Sequence, residues 1–188
     1  SGGDPDCRRE SGGGPSDPAN PTTNNRTTDN YCSIGGGSGN LAGNADTNLL
    51  NSNYATVGGG LNNSATGDGS TIGGGGWNQA SGVVSTISGG DANEASGSRS
   101  TIGGGAFNIT GGDYSSINGG YGNVASAYNA TISGGYDNTA SGAYATIPGG
   151  SQNTAAGDYS LAAGYLANAM DAGSFVWADS QGATFSSI

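Results

Sequence analysis

The chain has no histidine and no lysine, and its only basic side chains are Arg8, Arg9, Arg26 and Arg99. Histidine is the usual general base near neutral pH and the commonest metal ligand, so most acid–base and zinc chemistry loses its usual carrier. Without lysine there is no Schiff base and no phosphate-loop lysine, and the many GGG runs cannot be read as G-x-x-x-x-G-K-[ST]. Four arginines against 14 acidic residues, a formal charge of −10, leave no basic stripe to displace counterions from a polynucleotide or to seek anionic lipid. Neither nucleic acid nor membrane contact is expected of this segment, and no cofactor. No stretch approaches 18 apolar residues, and the chain opens Ser-Gly-Gly without an initiator Met or an apolar signal region. A processed product or a segment of a longer protein is therefore expected.

Cysteine is scarce too. Cys7 and Cys32 are candidates for one disulfide in an oxidising compartment, with two unpaired small residues as the alternative.

What the chain does have is glycine, 40 of 188 residues, about three times average usage. Such an excess indicates low-complexity sequence unless a strict repeat organises it, and a repeat of 15 residues is present. Val57, Ile72, Ile87, Ile102, Ile117, Ile132 and Ile147 fall 15 apart, and Ala162 takes the next slot. Counting each as position 0, Gly recurs at +2 and +3, and Asn at +6 from Asn63 through Asn78, Asn93, Asn108, Asn123, Asn138 and Asn153 to Asn168. A small residue, mostly Ala, takes +8 and Gly mostly takes +10. Ile34, Gly36, Gly37 and Asn40 form an earlier unit, separated from Val57 by one period plus eight residues.

Alternation along a strand places Ser70 and Ile72 on one face and Thr71 on the other, and likewise groups Asn78, Ala80 and Gly82. Each unit thus reads as two short strands and two turns, with Ile, Asn and Ala facing inward and +7 facing solvent. Gly at +2 and +3 is expected to supply turn conformations closed to residues with a Cβ. Stacked coils would repeat at about 4.8 Å, giving parallel ladders of Ile and of Asn. One Ile and one Ala per coil bury little apolar surface against the backbone entropy of 15 residues, so the thin roll is expected to bury a further face against copies of itself.

The unit S-T-I-G-G-G-x-x-N-x-A-S-G resembles the YadA-like head repeats of trimeric autotransporter adhesins and related bacterial and phage fibre proteins, over about Ile34 to Asp179. The resemblance implies an all-β, left-handed parallel β-roll with two short strands per coil and three chains around one axis. The segments Asn25-Arg26-Thr27-Thr28-Asp29-Asn30-Tyr31 and Ser174-Phe175-Val176-Trp177-Ala178-Asp179-Ser180 resemble the entry and exit of such rolls in large bacterial repeat proteins. No coiled-coil heptads or membrane anchor of a full autotransporter are seen.

The resulting division is irregular N-terminal coils at 1–33, repeats at 34–176 with a loop insertion near 44–53, and an exit segment at 177–188. The expected function is a structural or adhesive segment of an extracellular fibre at a cell surface or on a virion: a homotrimer, able to join end to end, that is not an enzyme. Outward Trp77, Phe107, Tyr121 and Tyr136, with Tyr114, Tyr144 and Tyr159, are candidates for contact with a glycan or a surface protein, or for packing at the roll's corners. Two alternatives carry less. One is an ice-binding face formed by the file Thr71, Thr86, Thr101, Ser116, Thr131 and Thr146. The other is a polysaccharide-degrading fibre using Asp68, Asp91, Glu94, Asp113, Asp137 and Asp158. Of four Asn-x-Ser/Thr sequons, at Asn25, Asn62, Asn108 and Asn129, only Asn62 is expected at an exposed corner.

Overall fold

The computed structural model describes residues 25–44 and 53–179 and the backbone of Phe185–Ser186. Among these residues there is no helix. The chain winds as a parallel solenoid in which each coil gives one short strand to each of two 11-stranded sheets, except that the coil of Ile147 gives both Thr146–Ile147 and Gly150–Ser151 to one of them. One sheet runs through Thr56–Val57, Thr71–Ile72, Thr86–Ile87 and their successors, and is called the Ile sheet here; the other runs through Ser64–Ala65, Gln79–Ala80 and Glu94–Ala95, and is called the Ala sheet. Every pairing is parallel, with Ile72 beside Ile87 and Ala80 beside Ala95. Strand amides donate to the next coil, as Thr71 does to Ser85 O at 2.9 Å and Gly73 to Ile87 O at 2.9 Å.

The strands are short because a turn begins on either side of each, yet two residues suffice to sort the faces: Thr out and Ile in, Gln79 or Glu94 out and Ala in. The Ile and Ala columns from Val57 to Ile147 and from Ala42 to Ala155 are fully buried between the sheets. Beside them lies a second inward column at −2: Ala55, Ser70, Ser85, Ser100, Ser115, Ala130 and Ala145, all buried. Where Thr110 replaces Ala at +8, its hydroxyl lies 3.1 Å from Ser100 Oγ of that column. Small residues let the sheets approach closely, and the facing hydroxyl satisfies the occasional polar intruder.

The ladder extends beyond the bounds expected at both ends. Arg26–Thr27 already pairs with Leu41–Ala42, so the Ala sheet starts eight residues before Ile34, within the segment expected to form irregular N-terminal coils. Phe175–Ala178 pairs with Leu161–Tyr165, and Phe185–Ser186 with Ala167–Ala169, so the exit segment continues the roll. One coil is 14 residues long: Gly150 pairs with Gly164 and Thr154 with Asn168. That one-residue slip overturns the expected places of Asn168 and Met170. Ala167 takes the Asn level, Ala169 takes the buried +8 slot, and Met170 faces solvent. The inserted loop near 44–53 falls largely outside the described residues; across it, Leu41 still pairs with Ser64.

Candidate functional site: two edges along a polar-cored rod

The Asn side chains form one continuous interior ladder. Asn78 donates its backbone N–H (3.1 Å) and Nδ2 (3.0 Å) to Asn63 Oδ1, and Nδ2 also reaches Gly74 O (3.0 Å) in its own turn and Gly90 O (2.9 Å) in the next coil. The same set repeats at Asn93, Asn108, Asn123, Asn138 and Asn153. It begins at Asn25, whose Oδ1 accepts from Asn40, and closes where Asn153 Oδ1 accepts the Ala167 amide at 2.9 Å. Each oxygen from Asn25 to Asn138 has two donors and Asn153 Oδ1 has the Ala167 amide, which is what makes a buried amide column tolerable. Asn108, one of the four sequons, is wholly inside.

Each coil has two turns, and the turns make the two edges of the roll. The forward edge, at +2 to +5, carries the chain from the Ile sheet to the Ala sheet; the return edge, at +9 to +13, carries it back. In the forward turn the +3 glycine is required. Gly90 has φ 97°, and a Cβ there would lie 2.1 Å from Gly105 O of the next coil. The neighbouring +2 position is mixed: Gly59, Gly104, Gly134 and Gly149 hold φ of 149–157°, closed to L side chains as expected, whereas a Cβ on Gly74 or Gly119 would meet nothing within 4 Å.

Beyond those glycines, both edges hold bulky residues in the left-handed region. At +5 these include Trp77 (φ 52°) and Phe107 (φ 57°), and at +12 Val84 (φ 57°), Arg99 (φ 56°), Tyr114 (φ 58°) and Tyr144 (φ 58°). The conformation reverses the direction of the amide. Trp77 N–H donates backward to Leu61 O at 2.9 Å, and Val84 N–H to Asp68 O at 2.8 Å, so each corner is tied to the preceding coil while the strands are tied to the following one. The signal for these corners was in the sequence: Asn62 and Gly122 at +5, with Gly69 and Asn129 at +12, are the residues that adopt this conformation most cheaply.

The candidate aromatics therefore fall into two files at opposite edges. On the forward edge, Phe107, Tyr121 and Tyr136 form a run with ring centroids 5.3 and 5.5 Å apart, the second pair stacked at 7°. Trp77, two coils earlier, lies in no ring pair among the described residues and is 57% exposed. On the return edge, Tyr114, Tyr128, Tyr144 and Tyr159 form a run at 5.6, 5.6 and 5.0 Å, and Tyr31 stacks on Tyr54 at 5.0 Å. Arg99 leads into that run, with its guanidinium 5.4 Å from the Tyr114 ring centroid and Nη1 3.1 Å from Tyr114 OH. Tyr128, which the sequence did not single out, joins Tyr114 to Tyr144.

The remaining candidates are dispersed. Asp113 Oδ1 accepts the Ser98 amide and Asp158 Oδ1 the Ala143 amide, each at 2.9 Å, so these carboxylates serve the turn of the preceding coil. With Asp68 they share the return edge at intervals of three coils, about 14 Å. Among the described residues no three His, Cys, Asp or Glu side chains group as a metal site. The Thr file lies outward on the Ile sheet in register, and the column beside it at +1 is Gly58, Gly73, Ser88, Gly103, Asn118, Ser133 and Pro148 rather than a second file of Thr. Cys32 is buried, its Sγ 3.6 Å from Asn30 O, and the expected partner Cys7 lies outside the described residues. No protein-family model matches the chain, and no curated protein matches it.

Proposed function

We propose that this roll is a rigid structural and adhesive segment of a homotrimeric extracellular fibre, of the kind found in surface adhesins, secreted filaments and phage tail fibres. The observation that carries the reading is the unbroken one-dimensional ladder. The eleven stacked strands of the Ala sheet at about 4.8 Å make a rod about 50 Å long. Such a rod has little concave interior to offer a small substrate, and its repeated positions serve stacking. Its distinctive outward chemistry is aromatic and runs lengthwise, which suits contact with another extended surface.

For a glycan partner, Trp77 is the residue of choice. Tyr121 and Tyr136 stack on each other, whereas the Trp77 indole, 57% exposed, stacks on no other ring among the described residues, which suits it to the apolar side of a sugar ring. Sedimentation and electron microscopy of the intact protein should give an elongated trimer, and a stable monomer at micromolar concentration would count against the fibre reading. On a glycan array, Trp77→Ala should lose signals that Tyr121→Ala keeps; identical profiles would leave Trp77 as a packing residue.

A further inference from the structure

Exposed apolar stripes as long as the molecule call for a partner equally long. The return edge carries eight large apolar side chains, 45–67% exposed, from Tyr31 to Tyr159. With about 150–250 Å² per covered aromatic, they offer on the order of 800 Å², the area each side commits in a stable complex. The forward edge carries a second stripe, from Leu61 to Tyr136. Several of these side chains sit on left-handed corners, a strained conformation for a residue with a Cβ. Val84 is the clearest case, because a β-branched residue in this region is a true outlier, and it is half exposed with Val83 beside it.

The two edges also correspond over the coils of Val57 to Ile132, though not at the ends, where Tyr54 is level with Ser38 and Gly39 and Tyr159 with Ser151 and Gln152. In the coil of Val57 a large forward residue, Leu61, is level with Gly69 on the return edge, and in the coil of Ile72 Trp77 is level with Val83 and Val84. The next coil carries exposed Asp91 on the forward edge and exposed Arg99 on the return edge. Aromatic then meets aromatic, Phe107 level with Tyr114, Tyr121 with Tyr128 and Tyr136 with Tyr144. A shift of one coil would set Val84 against Asp91 and Arg99 against Phe107.

From this match we propose that chains of this protein associate in parallel and in register, the return edge of one against the forward edge of the next, with Arg99 of one chain paired to Asp91 of its neighbour. The proposal rests on the fibre reading above for the number of chains: the contact is heterologous, and three repetitions would close the ring. The aromatic files then form the seams between rolls, so Trp77 serves either the seam or a glycan and not both, and the sheet faces are left to the surroundings.

The test is charge exchange in the intact protein. Arg99→Glu and Asp91→Arg should each weaken assembly at least about tenfold by sedimentation velocity, because like charges then face each other across the seam. The combined variant should restore it. Asp91 and Arg99 lie on opposite edges of one chain, so rescue cannot arise within a chain, and it separates a lost contact from a misfolded variant. If neither single change alters assembly, or the exchange fails to rescue it, the edge contact is wrong. Trimers insensitive to both changes would keep the fibre reading and overturn this seam. Larger open assemblies that dissociate with Arg99→Glu and are rescued would keep the seam and overturn the trimer.

Discussion

At the scale of single residues, the interior is decided by hydrogen-bond accounting more than by apolar area. Asn108 places Nδ2 on Asn93 Oδ1 (3.1 Å), Gly104 O (3.1 Å) and Gly120 O (3.0 Å), and its Oδ1 takes both donors of Asn123. Asn108→Leu strands several of these buried groups at once. Each unsatisfied group costs about 1–3 kcal/mol, so a loss of about 3–5 kcal/mol and a melting temperature lowered by roughly 10 °C are expected. The inward serines of the −2 column behave differently. Ser70 Oγ is buried and bonds to none of the described residues, and Ala55, Ala130 and Ala145 fill the same column elsewhere. Ser70→Ala should therefore leave the melt within about 0.5 kcal/mol of the parent. Thermal denaturation of the two variants side by side checks the claim, and equal melts would show that the Asn ladder is not what orders the coil.

Among the local elements, the turns rather than the strands restrict the sequence. A two-residue strand asks only for an apolar residue beside a polar one, and that pattern, with Asn at +6, was legible from the 15-residue period. The turns were legible in part. The +3 glycines were recognised, and +2 was given the same role; it shares it where φ is 149–157°, at Gly59, Gly104, Gly134 and Gly149, but not at Gly74, where a Cβ would meet open space. Gly90→Ala should cost about 3 kcal/mol or more, since it combines a left-handed φ with a collision into the next coil. Gly74→Ala should cost about 1 kcal/mol or less, and comparable losses in urea titrations of the two would overturn the distinction. The left-handed corners at Trp77, Val84 and Tyr144 escaped the sequence reading because bulky side chains hide the few Asn and Gly that mark the columns. The 14-residue coil escaped it because Asn168 stands where the period places an asparagine, and only strand pairing reveals the slip. Arg26–Thr27 escaped it because no Gly-Gly pair precedes it to announce a coil.

For the molecule as a whole, the energetics are nearly one-dimensional. Strand, ladder and corner bonds all join a coil to the one before or after it, so stability is close to a sum over coils and their interfaces. Excision of a full period should then be tolerated wherever the register is closed on both sides. Deleting 103–117 joins Ile102 to Asn118 in the same setting that Ile117 has now, sets Asn93 beneath Asn123, and lowers Thr131 onto Thr101. Every inward column is continuous across the join, and Asp91 and Arg99 stay in one coil, although Arg99 loses its contact with Tyr114. The shortened protein should keep its β-sheet circular dichroism and a cooperative melt, with its length reduced by about 5 Å in solution scattering. Deleting 103–109 instead removes half a coil, brings the Ala strand where the Ile strand should be, and turns outward residues inward. That variant should fail to fold. If the two deletions behave alike, either both folded or both unfolded, the in-register column is not the unit of stability in this rod.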